Sequence, residues 1–105
     1  GGIDKFNGTG MIGYWISRKY WRNGYITEAK KAVNDFAFYK LKLRKINSRV
    51  FVENKASNSL QKKMGFKFEG TLRKNARSKS TGKIHDTNAY GLLKEEWNKH
   101  RRKLK

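Results

Sequence analysis

The spacing of the hydrophobic residues changes several times along this chain, from a period of two to a helical period and back. Residues 11–17, MIGYWIS, alternate as a strand does and place Ile12, Tyr14 and Ile16 on one face. Residues 29–37 follow with helical spacing, with Thr27 as the predicted N-cap and Glu28 in the first turn. The apolar face predicted for this helix consists of Ala29, Ala32, Val33, Phe36 and Ala37.

The second half of the chain continues the alternation. Residues 46–52 predict a strand, with one face made of Ile46, Ser48, Val50 and Val52. A short helix over residues 56–64 should end at Gly65, which accepts a left-handed C-cap. A third strand carries Phe66, Phe68 and Leu72, STGK at 80–83 forms a hairpin turn, and IHDTNAYGLL is the last strand. The predicted order is strand, helix, strand, helix, strand, strand.

Length and composition limit what this pattern can build. The chain has 105 residues, 36% of them hydrophobic, which suits one folded domain over residues 1–105. The absence of cysteine excludes disulfides and thiolate metal sites, and two histidines alone do not make a zinc site, so no metal is predicted. No apolar run is long enough to span a membrane and the start lacks signal-peptide features, so we expect a cytoplasmic protein without a membrane partner.

The formal net charge of +18 is the strongest compositional signal. A chain so basic is attracted to polyanions such as RNA, DNA and nucleotide phosphates. The basic residues are spread along the chain, so solvated surface and non-specific nucleic-acid binding are both open interpretations.

The stretch WRNGYITEA, residues 21–29, joins the first predicted strand to the first helix. Backbone N–H groups and the positive end of a helix converge at such a junction, which suits a phosphate group. Gly24 would let the backbone approach a ligand closely, and Arg22 adds positive charge. A plain turn is the alternative, because a lone glycine between a strand and a helix commonly marks a turn.

Two segments taken together, IGYWISRKYWRNGYITEA and NKASNSLQKKMGFKFEG, resemble the GNAT acyltransferase superfamily, and more narrowly its ribosomal-protein N-terminal acetyltransferase (Rim-type) branch. The resemblance covers most of the chain, and the ending AYGLLKEEW is similar to that branch as well. It implies a partial GNAT-like α/β fold, with helices on the faces of a mostly antiparallel mixed sheet that is splayed at Ile16 and Asn54. It also implies acetyl transfer from acetyl-CoA to an amine, such as a protein N-terminus.

The resemblance also implies which residues bind acetyl-CoA. They are Tyr14, Trp15 and Ile16 at the strand end, Arg22, Asn23, Gly24, Tyr25, Ile26 and Thr27 in the loop, and Asn54 and Ser57 beyond the second strand. The family loop is usually Gln/Arg-x-x-Gly-x-Gly/Ala, and this chain keeps only the central Gly24, with Trp21 and Ile26 at the outer positions.

Acetyl transfer needs an acid for the leaving thiolate and a base for the amine. Many family members place a tyrosine acid where this chain has Gln61, so Ser57 is the candidate acid, with helix capping as its alternative role. The base position of the Rim-type branch corresponds by register to Ala76. Glu69 is the nearby carboxylate, and it is either a base or a solvated strand residue.

Several other conspicuous residues favour structural roles. His85 and Asp86 are neighbours on a predicted strand and point to opposite faces, so they cannot orient one another. We interpret His85 as a structural or surface histidine and Tyr90 as a core residue, with the acyl site as its alternative. The tryptophans (Trp15, Trp21, Trp97) read as core or rim packing.

GNAT domains usually have further strands and helices before the strand at residues 11–17, whereas only residues 1–10 precede it here. The chain therefore resembles the cofactor-binding C-terminal portion of an acetyltransferase, and we expect dimerisation or a further segment to cover exposed apolar surface. We expect it to bind acetyl-CoA but transfer acetyl groups slowly. The alternative functions are a basic RNA-binding or ribosome-associated module and a catalytically weak acyl-CoA-binding fragment.

Overall fold

The computed structural model describes residues 3–11 and 25–103, and for residues 25–27 it describes the backbone alone. Within these residues five strands form one sheet in the order β1–β2–β3–β5–β4. The strands are β1 (Ile3–Asp4), β2 (Thr9–Met11), β3 (Lys45–Phe51), β4 (Lys67–Arg77) and β5 (Ile84–Leu93). The helices are α1 (Tyr25–Asp35), with a π-helical turn at Phe36–Lys40, α2 (Lys55–Lys63) and α3 (Lys94–His100), with a 3-10 turn at Arg101–Lys103.

Among the five described strands, pairing is antiparallel except between β2 and β3. That parallel pair runs from Thr9 opposite Lys45 to Met11 opposite Asn47. A parallel pair requires a long crossover, and the crossover here contains α1. The predicted fold class, a mostly antiparallel mixed sheet with helices packed on it, is confirmed.

One face of the sheet carries the core. Alternate residues of β3 and β5 meet buried side chains of the helical segments, in a cluster that includes Ile46, Val50, Tyr90 and Leu92 from the strands and Phe38, Leu60, Met64 and Trp97 from the helical segments and turns. Ile46, Ser48 and Val50 are all buried, as the strand alternation predicts. Val52 is different, because β3 ends at Phe51 and Val52 lies in the following turn with 40% of its surface exposed. The prediction for Val52 is therefore wrong.

The inward face of α1 also differs from the prediction. Ala32 is exposed and Phe36 is 55% exposed, whereas Lys30 and Asn34 are buried. The Lys30 ammonium lies 4.8 Å from the centroid of the Phe66 ring, so the long alkyl stem packs in the interior with the charge over an aromatic face. Burial lowers the pKa of Lys30 to about 7. Apolar spacing alone does not reveal such a polar inward face.

The observed ends of some helices and strands differ from the predicted ones. α1 begins at Tyr25, so Thr27 lies inside the helix and is not its N-cap. The helix-propensity cost of Tyr25 and of Ile26 is modest, so neither residue prevents an earlier start. The strand predicted from Met11 begins earlier too, at Thr9. Helix α3 was not predicted, because it has only seven residues and Trp97 is its one buried residue.

Asp35, at the end of α1, attaches α3 to the rest of the fold. Its Oδ1 accepts a hydrogen bond from the Trp97 indole at 2.8 Å, and its two oxygens accept from Nε and Nη2 of Arg101 at 3.0 and 3.1 Å. Partial burial acts to raise the pKa of Asp35, but the bonds from Arg101 and Trp97 outweigh it and the pKa is lowered. This carboxylate therefore links two helices that are far apart in sequence.

Gly65 ends α2 with a left-handed backbone conformation (φ +92°), as predicted. We expect Gly65→Ala to lower the free energy of unfolding by about 2 kcal/mol or more, because it adds steric conflict to backbone strain. An added Cβ would lie 2.8 Å from Cγ of His100. Gly82→Ala is the matched control, since Gly82 has φ +74° and no atom within 4 Å of the added Cβ. Equal losses in urea unfolding of the two variants would contradict the conflict with His100.

Within residues 3–11 and 25–103, the helices are all too short or too polar to cross a membrane.

Candidate functional site

The connection from β3 to α2 is built around Asn54. Its Oδ1 accepts a hydrogen bond from the Ser57 backbone N–H at 3.1 Å, so Asn54 is the N-cap of α2. The capping role considered for Ser57 therefore belongs to Asn54, and Ser57 supplies the backbone donor. Asn54 and Ser57, two of the residues predicted to contact acetyl-CoA, lie together in the first turn of the helix.

Ser57 and Gln61 lie four residues apart and share the buried face of α2. Gln61 is 0% exposed, and among the described residues neither its Oε1 nor its Nε2 has a hydrogen-bond partner. A buried amide without partners is costly, so it favours a site where another molecule supplies the missing bonds. Gln61 is the position at which the sequence resemblance implies a tyrosine acid, and an amide there can donate a hydrogen bond but not act as an acid.

The side chain of Asn58 also holds the connection between β3 and α2 in place. Its Nδ2 lies 2.8 Å from the carbonyl oxygen of Asn54 and 3.1 Å from that of Phe51, and its Oδ1 accepts hydrogen bonds from Asn88 at 2.9 Å and from the Tyr90 hydroxyl at 2.6 Å. Tyr90 is buried in the core, as expected, and burial raises its pKa. One side chain thus joins the β3–α2 connection to β5. Sequence spacing gave no signal for this role.

His85 is held by residues other than Asp86. Its Nδ1 contacts the carboxylate of Glu53, and its ring stacks on Phe51 with centroids 4.8 Å apart. Asp86 instead accepts a hydrogen bond from the Lys74 backbone N–H at 2.7 Å. The prediction that the two neighbours do not orient one another agrees with these contacts. The partnership with Glu53 was missed, because it depends on how β3 and β5 pair.

Glu69, the carboxylate considered as a base, forms a salt bridge with Lys45 at 2.8 Å. Their side chains meet above Gly91 of β5, where an added Cβ would lie 2.4 Å from Glu69 Oε2 and 2.7 Å from Lys45 Cε. Ala76, the position at which the resemblance implies a base, lies directly opposite His85 in the sheet. The structure therefore places Glu69 beside Lys45 and Ala76 beside His85.

Most of the predicted cofactor loop lies outside the described residues. This applies to Tyr14, Trp15, Ile16, Arg22, Asn23 and Gly24, and also to Trp21. Tyr25, Ile26 and Thr27 lie in the first described turn of α1, and the predicted phosphate site includes them. Of the residues predicted to bind acetyl-CoA, the structure therefore describes the side chains of Asn54 and Ser57.

Among the described residues, no three His, Asp or Glu side chains come together in the way that a metal ion requires.

The chain is similar in sequence to known acetyltransferases. The sequence profile of the acetyltransferase (GNAT) domain matches residues 2–67. "Uncharacterized N-acetyltransferase YoaA" of Bacillus subtilis is 42% identical over 83 residues, which are 79% of this chain and 46% of that protein. "Putative ribosomal N-acetyltransferase YdaF" of the same species is 34% identical over 95 residues, which are 90% of this chain and 51% of that protein.

The fold is also similar to that of a solved acetyltransferase structure. A GCN5-related N-acetyltransferase from Brucella melitensis superposes with a TM-score of 0.80 at 30% identity, over 91% of this chain and 43% of that one. The chain spans about half the length of the curated relatives it matches. With the profile match and the identity to YoaA, the chain belongs to the GNAT acetyltransferase family.

Proposed function

We propose that this chain binds acetyl-CoA and takes part in transfer of its acetyl group to a primary amine, with a protein N-terminus as the acceptor. Family membership supports the reaction class. The printed name of YdaF refers to ribosomal N-acetylation, which supports a protein acceptor. The structural observation that carries the proposal is α2, which follows β3 with Asn54 as its N-cap and has Ser57 and Gln61 on its buried face.

The polar residues of α2 and its N-cap fit such a cofactor. Acetyl-CoA supplies an acetyl group activated as a thioester. Asn54 has its oxygen fixed by the helix N-terminus, so the orientation of its amide is set before a pantetheine arm binds. The amide of Gln61, which has no hydrogen-bond partner among the described residues, carries N–H donors on Nε2 and an acceptor on Oε1 for polar atoms of a ligand. Ser57 holds a proton that can pass to a leaving thiolate.

The phosphate end is assigned to the loop at residues 22–27. Gly24→Glu should weaken CoA binding at least about tenfold, because the new carboxylate would stand against the CoA phosphates. Isothermal titration calorimetry at fixed ionic strength measures the effect. Gly82→Glu is the control, since it changes the net charge equally in an exposed turn with free space around it. Equal CoA affinity in both folded variants would refute the phosphate assignment.

Non-specific association with nucleic acid is a separate expectation from the charge of +18. Its affinity should fall steeply with salt and show little preference for sequence. A gel-shift series that finds one RNA bound tightly at high salt would favour the RNA-binding alternative instead.

A further inference from the structure

We propose that His85, with Nδ1 held by Glu53, is the general base that accepts the proton of the amine. This inference rests on the proposed function and goes beyond it by naming the proton acceptor. The sequence offers no carboxylate at the expected base position, Ala76, and the nearby Glu69 is engaged with Lys45.

The sheet fixes the position of His85 relative to Glu53. β3 and β5 pair antiparallel as far as Phe51 opposite Thr87, and the Val52 backbone N–H continues the contact by donating to the carbonyl of Asp86 at 3.1 Å. Continuing this register brings Glu53 opposite His85. The Phe51 ring stacks on the imidazole at an interplanar angle of 20°, so the ring plane is held as well.

The contact with Glu53 also sets the protonation pattern of the ring. A carboxylate accepts hydrogen bonds, so Nδ1 of a neutral His85 carries the proton and donates it to Glu53. Nε2 then holds the lone pair and can take up a proton. The His85 side chain is 22% exposed, which leaves it accessible from one side of the sheet.

His85 is connected to the predicted cofactor residues through Glu53. Glu53 directly precedes Asn54, so the residue that orients the imidazole and the residue that caps α2 are neighbours in one connection. On β4, the residue opposite His85 is the uncharged Ala76. Two charged residues on the neighbouring strand positions have partners of their own: Asp86 accepts a hydrogen bond from the Lys74 N–H, and the Arg77 guanidinium donates to the carbonyl of Gly82 at 2.6 Å.

The proposed step balances without any further reagent. A bond forms between the amine nitrogen and the acetyl carbon, and the carbon–sulfur bond of the thioester breaks. The proton lost by the amine nitrogen passes to Nε2 of His85. The sulfur leaves with the electron pair of the broken bond and takes a proton from Ser57 or water.

The first test compares His85→Gln with the wild type in a thiol-release assay that uses acetyl-CoA and N-terminal peptides. We expect kcat to fall about 100-fold or more while the Kd for CoA stays unchanged. Glu53→Gln should lower kcat about tenfold or more, because the ring loses its orienting charge. His100→Gln is the matched control at the other histidine, and it should retain wild-type kcat.

A second measurement does not depend on turnover. Long-range ¹H–¹⁵N spectra of the ring nitrogens should show the neutral His85 of the wild type protonated at Nδ1, and this preference should weaken in Glu53→Gln. A proton on Nε2 in the wild type would overturn the proposal, as would an active wild type matched by His85→Gln. A folded wild type that releases no thiol with any amine would refute the proposed function, and with it the role of His85.

Discussion

Asn58→Ala is expected to lower the free energy of unfolding by about 2–4 kcal/mol. The substitution removes the acceptor of the buried Tyr90 hydroxyl and of the Asn88 amide, together with the donor to the carbonyls of Phe51 and Asn54. Buried polar groups that lose a partner cost more than the average hydrogen bond contributes. Urea unfolding followed by circular dichroism measures the loss.

Tyr90→Phe is the matched control for Asn58→Ala. It removes one hydrogen bond and leaves the Asn58 oxygen bonded to Asn88, so we expect a loss of about 1 kcal/mol. If Asn58→Ala costs no more than Tyr90→Phe, the bonds to the β3–α2 connection contribute little. CoA affinity of Asn58→Ala should also fall, because the connection that carries Asn54 loses its fixed position.

Asp35→Ala should cost about 2–3 kcal/mol near neutral pH. It leaves the buried Trp97 indole N–H without its acceptor and leaves Arg101 without its carboxylate. Asp35→Asn is the informative comparison, since the amide oxygen can still accept from Trp97 while the charge is lost. We expect Asp35→Asn to cost about half as much in the same urea experiment.

The difference in unfolding free energy between the wild type and Asp35→Asn should depend on pH, because the pKa of Asp35 is lowered in the folded protein. The stabilisation that its ionised form provides is complete above the unfolded-state value of about 3.8 and is lost as the pH falls through the lower folded-state value. The difference in unfolding free energy between wild type and Asp35→Asn should therefore be constant near pH 7 and shrink below about pH 4. A difference that stays constant down to pH 2 would contradict a charge-based role.

The sequence predicted those ends of helices and strands that depend on residues only a few positions away. The limits of β5, the glycine that ends α2 and the position of Asn54 just before that helix all follow from residue preferences within a few positions. Family resemblance added the candidate site, and the structure places Asn54 at the N-cap of α2 and Ser57 and Gln61 on the buried face of that helix.

Features that depend on packing between distant segments were missed or predicted wrongly. The inward face of α1 contains the polar residues Lys30 and Asn34, and the Lys30 ammonium lies over the Phe66 ring, which comes from a distant segment. The His85–Glu53 contact joins residues 32 positions apart, and it follows only from the register of β3 on β5. The spacing of hydrophobic residues within either strand does not reveal which residues of the two strands pair.

The position of β5 has a consequence for how the chain is made. β5 is the most C-terminal of the described strands, yet it lies between β3 and β4. During synthesis β3 and β4 therefore leave the ribosome before the strand that pairs with both of them exists. Their unpaired edges are open to other chains until Leu93 has emerged, and a chain stopped short of β5 cannot join the two halves of its sheet.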